Sequence, residues 1–497
     1  MTSSAHSLAP RLARRPNRRL THLPERRAPV TFTHNLFFIG LALVLLTALF
    51  SLDVRPDAFT TYLPTAISFL VVGVVSFMGL YDAARERAFS LNVSHWTYVL
   101  FFLFYAPFVQ FLVGTSAYQS DIGLFDHYAI WINLMTLVWC GLYYAFYGSP
   151  SLKGESIAGP SSQASPVSVC SGLTYAVALM MCVASMSLIV VLFGQEVLLL
   201  RGAGSAVTDN TADKSTFLIV NSICRALPVM ATGMLMITRG KSKFLHWTTF
   251  AICALFTLVM NNPIAIARFW FGAIILGFCC LFLHVRKIRI TGLWIAVALT
   301  LAGVTIFPVL SATRYAQNAD QLSQVDVSND WSSNLTSADF DGYSMIIATV
   351  EWTQREGPTN GFQFVGNSLF WVPRFLWYDK PIGSGQEVAE YFDMPNINMA
   401  EPMTAEAYIN FGWLGIPLYA YAIGRLFAVV DRRYWGRSQR NLISVLGVSY
   451  PFLTALTIYF LRGDYLSGLS SSLALMMSAV FMIWVFKVTS LRASSPS

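Results

Sequence analysis

Apolar residues in this chain come in long runs, separated for the most part by short polar connections. A run of about 20 residues is long enough for a helix to cross a bilayer core, at about 1.5 Å rise per residue. The pattern predicts about twelve such helices, at roughly 35–51, 58–81, 97–114, 128–147, 171–193, 216–237, 246–260, 263–284, 290–311, 408–430, 441–461 and 466–487. The seventh is short and passes to the eighth through the tight turn Asn261-Asn262-Pro263. One stretch departs from the rhythm. Residues 312–407 are long and polar, and only Asp341 to Glu351 has the spacing of a helix, which Gly357-Pro358 would end.

The expected architecture is therefore an all-α polytopic membrane protein. A basic arm (1–34) precedes nine spans (35–311), the long loop (312–407), three more spans (408–487) and a short tail (488–497). Composition agrees, with 55% hydrophobic and only 12% charged residues, about half the charge of a soluble chain. The net charge of +7 comes mostly from the arm, which holds seven Arg against Glu25. That arm either fixes topology or touches anionic lipid heads, and no small-residue cleavage site follows the first apolar run.

Charge also orients the spans. Arg85 and Arg87, Lys153, Arg239 to Lys243, Arg286 to Arg289, and Arg432 to Arg440 fall on alternate connections, together with the arm and the tail. The positive-inside bias then puts both termini in the cytoplasm and the long loop outside. The loop carries thirteen Asp or Glu against Arg314, Arg355, Arg374 and Lys380, a balance the bias permits on that side. Asn334-Leu335-Thr336 is a glycosylation sequon there, without meaning in a bacterium. The seven Cys lie in or beside apolar runs with no metal-binding spacing. Phosphate-loop, zinc-protease and serine-hydrolase motifs are absent, as is an inverted repeat.

Candidate chemistry begins with arginines in apolar runs. Arg225 sits near the middle of the sixth span, with Asn221 one turn away, and an arginine there needs a partner. It reads either as an interhelical hydrogen bond or as a cavity-lining cation. Arg268, Arg314 and Arg462 lie toward the loop side of their spans, where snorkelling to lipid heads is the plain reading. With Arg374 and Lys380 they offer a cationic pocket suited to phosphate oxygens. Trp371, Trp377 and Tyr408 read as interfacial aromatics or as platforms for sugar rings. Glu406, where the loop returns to the membrane, is a candidate general base, and Asp341 a second carboxylate. Asp339-Phe340-Asp341 has the spacing of a metal-binding acidic pair, which an acidic loop also produces by chance. The loop has no His, and His127 reads as an interface residue.

Trp371-Val372-Pro373-Arg374, Trp377-Tyr378-Asp379-Lys380-Pro381, Gly383-Ser384-Gly385 and the exit Glu406-Ala407-Tyr408-Ile409-Asn410-Phe411-Gly412 resemble bacterial O-antigen polymerases of the Wzy type. Asn262-Pro263 with Arg268, and Arg462-Gly463, are similar to that family as well. The resemblance implies a GT-C-like glycosyltransferase in the bacterial plasma membrane. It would join undecaprenyl pyrophosphate-linked oligosaccharide repeat units on the outer face into a surface polysaccharide. Donor and acceptor would both be lipid-linked, with no cofactor, metal or nucleic acid. A flippase and a chain-length regulator are the partners such a system implies. On that reading Arg268, Arg314, Arg374, Arg462 and Arg225 hold pyrophosphate with Lys380 in support. A flippase of lipid-linked oligosaccharide and an O-antigen ligase remain alternatives. Against the first stands the absence of the repeat symmetry expected of a transporter, and against the second the absence of a His from the long loop.

Overall fold

The computed structural model describes residues 32–87, 89–116, 122–148, 169–199, 214–286, 335–394, 396–397, 399–437 and 442–493. The protein is an all-α polytopic membrane protein. Ten helical segments are long and apolar enough to cross a bilayer. They are α2 (Leu63–Glu86), α3 (Leu91–Val113), α4 (Ile122–Gly148, apolar from Phe125), α5 (Gly172–Phe193), α6 (Lys214–Ile237), α7 (Lys243–Met260), α8 (Arg268–Val285), a segment Met403–Gly436, α14 (Val445–Arg462) and α15 (Tyr465–Ala493). Helix α1 (Phe32–Phe50) precedes them and is apolar over Phe38–Phe50. These match eleven of the expected spans, and the expected ninth, 290–311, lies outside the described residues. The arm, the sequon asparagine and Arg314 also lie outside them.

Several expected boundaries shift by a few residues, and one of these shifts bears on the site. The tenth span begins at Met403, inside the stretch read as loop. It is built from α12 (Met403–Phe411) and α13 (Gly415–Arg437), with Gly412 at the break taking a positive φ of 58°. Glu406 and Asn410 mask this start in the sequence, because both are polar yet wholly buried. The rest of the described loop forms α9 (Gly342–Glu356), α10 (Phe362–Ser368) and α11 (Ser384–Tyr391). Helix α9 ends where Gly357 adopts φ 84° and its N–H returns to Thr353, as the Gly-Pro signal predicts.

The helices pack as two groups. One core joins α2, α3, α4, α9, α12 and α13; the other joins α5, α6, α7, α8 and α15. Helix α14 belongs to both, giving Tyr450, Ile458 and Leu461 to the first and Val448, Phe452 and Leu456 to the second. Gly277 of α8 leaves the room that the Phe452 ring occupies, so these helices approach closely. Helix α3 is the most enclosed span and contains a π-helical stretch, Val99–Tyr105. A helix apolar on all faces suits that central place.

Two ends follow from this arrangement. The loop end gathers the start of α8, the end of α14, the start of α15 and the described part of the long loop. At the opposite end, two-residue strands β1 (Val169–Cys170) and β2 (Arg239–Gly240) pair in parallel. There Asp431 of α13 caps α3, accepting from the backbone N–H of Leu91 (3.1 Å) and Asn92 (3.3 Å) and from the hydroxyls of Tyr147 (2.8 Å) and Tyr450 (2.6 Å). The side chain of Ser90 caps the same helix by accepting from Val93 N–H.

Candidate functional site

The loop end is organised by a short turn that leads into α9. Gln110 of α3 donates from its amide to the carbonyls of Leu335 (2.8 Å) and Phe340 (3.0 Å). The Phe340 ring stacks on Phe102 with centroids 5.3 Å apart. With Phe340 fixed, Asp339 meets Arg268, the first residue of α8, and Asp341 meets Arg462, the last of α14, at 2.7 Å. The Arg462 guanidinium also lies 4.9 Å from the ring centroid of Phe269, next in chain to Arg268. Two arginines from separate spans thus share one corner, each held by a carboxylate of the same turn. All four side chains are largely buried. Removing one partner of such a pair costs about 3–5 kcal/mol, because the other charge is left without a counterion. Asp339 and Asp341 thus pair with the arginines here, and their i, i+2 spacing is the one an acidic loop also produces by chance.

A carboxylate group adjoins this corner. Glu406 of α12 is wholly buried; one oxygen accepts from the Ser384 hydroxyl (2.9 Å) and the other from the Tyr465 N–H (3.3 Å). Asp464, between α14 and α15, packs on Gly383 and accepts from Leu466 N–H at 3.1 Å. Glu401, just before α12, accepts from the Thr349 hydroxyl (2.7 Å) through one oxygen, and its other oxygen is buried without a partner. Burial raises the Glu401 carboxyl well above the ordinary range, Asp464 and Asp341 add to this, and the Thr349 hydrogen bond opposes it. Burial pushes Asp464 up to about 6 against the Leu466 N–H, which favours the charged form. A carboxyl kept protonated near neutral pH donates a proton; one that ionises near 6 accepts one.

Polar atoms around this group are left incomplete. Among the described residues, Ser344 Oγ, Tyr419 Oη and Glu401 Oε2 are buried without a hydrogen-bond partner, while the Tyr98 and Thr404 hydroxyls face one another. Buried polar groups nearly always find partners, so such a cluster marks a place that water or a hydroxyl-rich ligand completes.

Other expected site residues do different things. Arg225 is buried, and all three of its guanidinium nitrogens are occupied: by Asn221 Oδ1 (2.7 Å), by the Met260 carbonyl and by the Val197 carbonyl (3.0 Å). It ties α6 to the end of α7 and the turn after α5, the interhelical reading of the sequence, and does not join the Arg268–Arg462 corner. Lys380 is buried and donates to the carbonyls of Phe370 (2.6 Å) and Val372 (3.0 Å), while Arg374, exposed, donates to the Lys380 carbonyl (2.8 Å). The Pro-Arg to Lys-Pro segment thus braces itself. Among the three expected aromatic platforms, Tyr408 is buried and sits edge-on to Trp413, and Trp377 is partly covered with its ring edge-on to Phe362. Trp371 presents an open face.

Glu401, Asp464 and Ser384 escaped the sequence reading as site residues. Asp464 carried a usable signal, since it follows Arg462-Gly463 at a span end; Glu401 carried none among so many loop carboxylates. A shallow surface hollow lies elsewhere, along Phe244, Trp247, Ile252 and Leu255 of α7. It is apolar and belongs with the lipid-facing surface.

No family model, curated protein or solved structure matches this chain.

Proposed function

We propose that the protein is a glycosyltransferase that joins lipid pyrophosphate-linked oligosaccharide repeat units on the outer face of a bacterial plasma membrane, in the manner of the O-antigen polymerases it resembles. The observation that carries this reading is the convergence of Arg268 and Arg462 beside the buried carboxylates Glu406 and Glu401 and the half-buried Asp464. Transfer from a lipid pyrophosphate needs these two chemistries side by side. The acceptor hydroxyl attacks the anomeric carbon and its proton passes to the neighbouring carboxyl pair Glu406 and Asp464, of which Asp464 is the member ionised above about pH 6. The bond to pyrophosphate breaks, and the arginines stabilise the charge that develops on the leaving oxygens. Asp339 and Asp341 hold the guanidinium forks oriented and give way to the more highly charged pyrophosphate. The incomplete hydroxyls of Ser344 and Tyr419 then have sugar hydroxyls as partners.

The test is polymerisation by purified protein with purified lipid-linked repeat units. Glu406→Gln keeps the shape and the Ser384 contact but removes basicity, so turnover falls by about a hundredfold or more while folded protein is retained. Wild-type ladders from that variant would remove Glu406 from the reaction and pass the role to Asp464.

A further inference from the structure

The opposite end of the bundle holds a second group of unmatched polar atoms, and there they are all donors. Arg87 Nη1, Arg432 Nη1 and Trp435 Nε1 are each buried without a hydrogen-bond partner. They belong to one corner. The Arg87 guanidinium lies 5.9 Å from the Trp435 ring centroid, and Arg432 is close enough to feel the charge of Arg87. Phe89 and His284 pack against Trp435 and hold it upright (centroids 5.1 and 6.0 Å). Arg432 anchors itself by donating from Nη2 to the Tyr147 carbonyl at 3.1 Å, which leaves Nη1 for another acceptor.

The obvious counterion is already engaged. Asp431 adjoins both arginines, yet its two oxygens carry four hydrogen bonds from Leu91, Asn92, Tyr147 and Tyr450. No ion pair reaches Arg87 or Arg432 among the described residues. Glu86, the nearest other carboxylate in sequence, is exposed. Two cations and an indole N–H therefore share a corner in which no carboxylate among the described residues forms an ion pair with either arginine.

Position identifies the ligand. Three candidate spans end within a few residues of this corner, at Glu86, Gly148 and Gly436, and a fourth begins at Leu91. That is the depth at which lipid phosphates lie, and basic pockets between helices at this depth recognise anionic head groups. We propose that Arg87, Arg432 and Trp435 form a binding site for the phosphate of an anionic lipid headgroup. The planar guanidinium forks suit paired phosphate oxygens, and the indole N–H supplies a third donor. The site is independent of the chemistry at the loop end.

The experiment is native mass spectrometry of the full-length protein in mild detergent, titrated with phosphatidylglycerol, with phosphatidylcholine, and with inorganic phosphate as competitor. Wild-type protein should retain phosphatidylglycerol in preference to phosphatidylcholine. The double variant Arg87→Gln/Arg432→Gln should bind it about tenfold or more weakly. Trp435→Phe removes one neutral donor and little shape, and should weaken binding a few-fold, which keeps the test open if the double variant folds poorly. Arg85→Gln/Arg433→Gln removes two exposed charges from the same end and should change little. Competition by millimolar inorganic phosphate makes the phosphate group itself the recognised element; its absence makes the whole lipid the ligand, and both outcomes sustain the site. Unchanged affinity in the double variant and in Trp435→Phe overturns the proposal. So does an equal loss in the Arg85/Arg433 control, which would reduce the effect to general surface charge.

Discussion

The two ends of the bundle treat charge in opposite ways. At the loop end, Arg55, Arg268, Arg355 and Arg462 each sit on a carboxylate, and every ion pair among the described residues is there. At the opposite end, Arg85, Arg87, Arg432 and Arg433 have no such partner, and the buried Asp431 is satisfied by neutral donors. A carboxylate saturated by backbone and tyrosine hydrogen bonds is a structural pin. A carboxylate that shares a corner with arginines, beside another with an empty oxygen, is a group whose partners are open to exchange. Burial alone does not separate the two kinds; the completeness of their hydrogen bonds does.

This contrast is best broken at Asp431. Asp431→Ala strips four buried donors of their acceptor at once, and should cost about 4 kcal/mol or more, read as a large fall in the thermal midpoint in detergent. Asp431→Asn keeps one acceptor oxygen and should lose about half as much. An alanine variant that melts like wild type would show that the pin is not structural.

The next largest effect separates stability from activity. Arg462→Met removes the Asp341 ion pair and should cost up to about 3–5 kcal/mol, and adding Asp341→Leu should recover part of it. Polymerisation by the double variant should stay lost at matched amounts of folded protein. Arg225→Met also destabilises, because two carbonyls lose their donor, but activity per folded molecule should persist. If Arg225→Met and the Arg462/Asp341 pair behaved alike, the distinction between an anchoring and a ligand-facing arginine would fail.

The smallest effect concerns pH. The Asp464 carboxyl lies at about 6 in the folded protein against an ordinary 3.8. The folded state therefore holds its proton more tightly than the unfolded one. Its contribution to stability is complete below about pH 4 and is lost as the pH rises through about 6. Asp464→Asn should flatten the dependence of the thermal midpoint on pH across that window by a few degrees. An unaltered slope would mean that Asp464 titrates normally.

Much of the fold was legible because a bilayer demands long apolar runs. The reading slipped at Met403, where Glu406 and Asn410 interrupt the run although both are buried. Arg268 and Arg462 were legible for the same reason, since an arginine at the end of an apolar run stands out. Their partners were not, because nothing local tells Asp339 and Asp341 apart from eleven other loop carboxylates. For Arg225 the i−4 partner Asn221 was visible, but the two carbonyls come from distant turns. The carbonyl partners of Lys380 were not legible, because a loop's own carbonyls leave no mark in sequence. Composition shows which side chains are able to bind an anion; only packing shows which of them already serve the backbone.

Helix α14 completes both cores, yet it comes late in the chain. During synthesis the helices α2 to α8 enter the membrane before the strut that joins their two groups exists. Until Val445–Arg462 follows, Tyr450 is not there to donate to Asp431, nor Phe452 to fill the space beside Gly277. Arg462 is its last residue, so the cationic corner is among the final things to form. A ribosome-bound intermediate halted before that helix would hold Arg268 and Asp339 but neither Arg462 nor Asp464. Such a nascent chain lacks half of the arginine corner, whose completion is coupled to the insertion of one late hairpin.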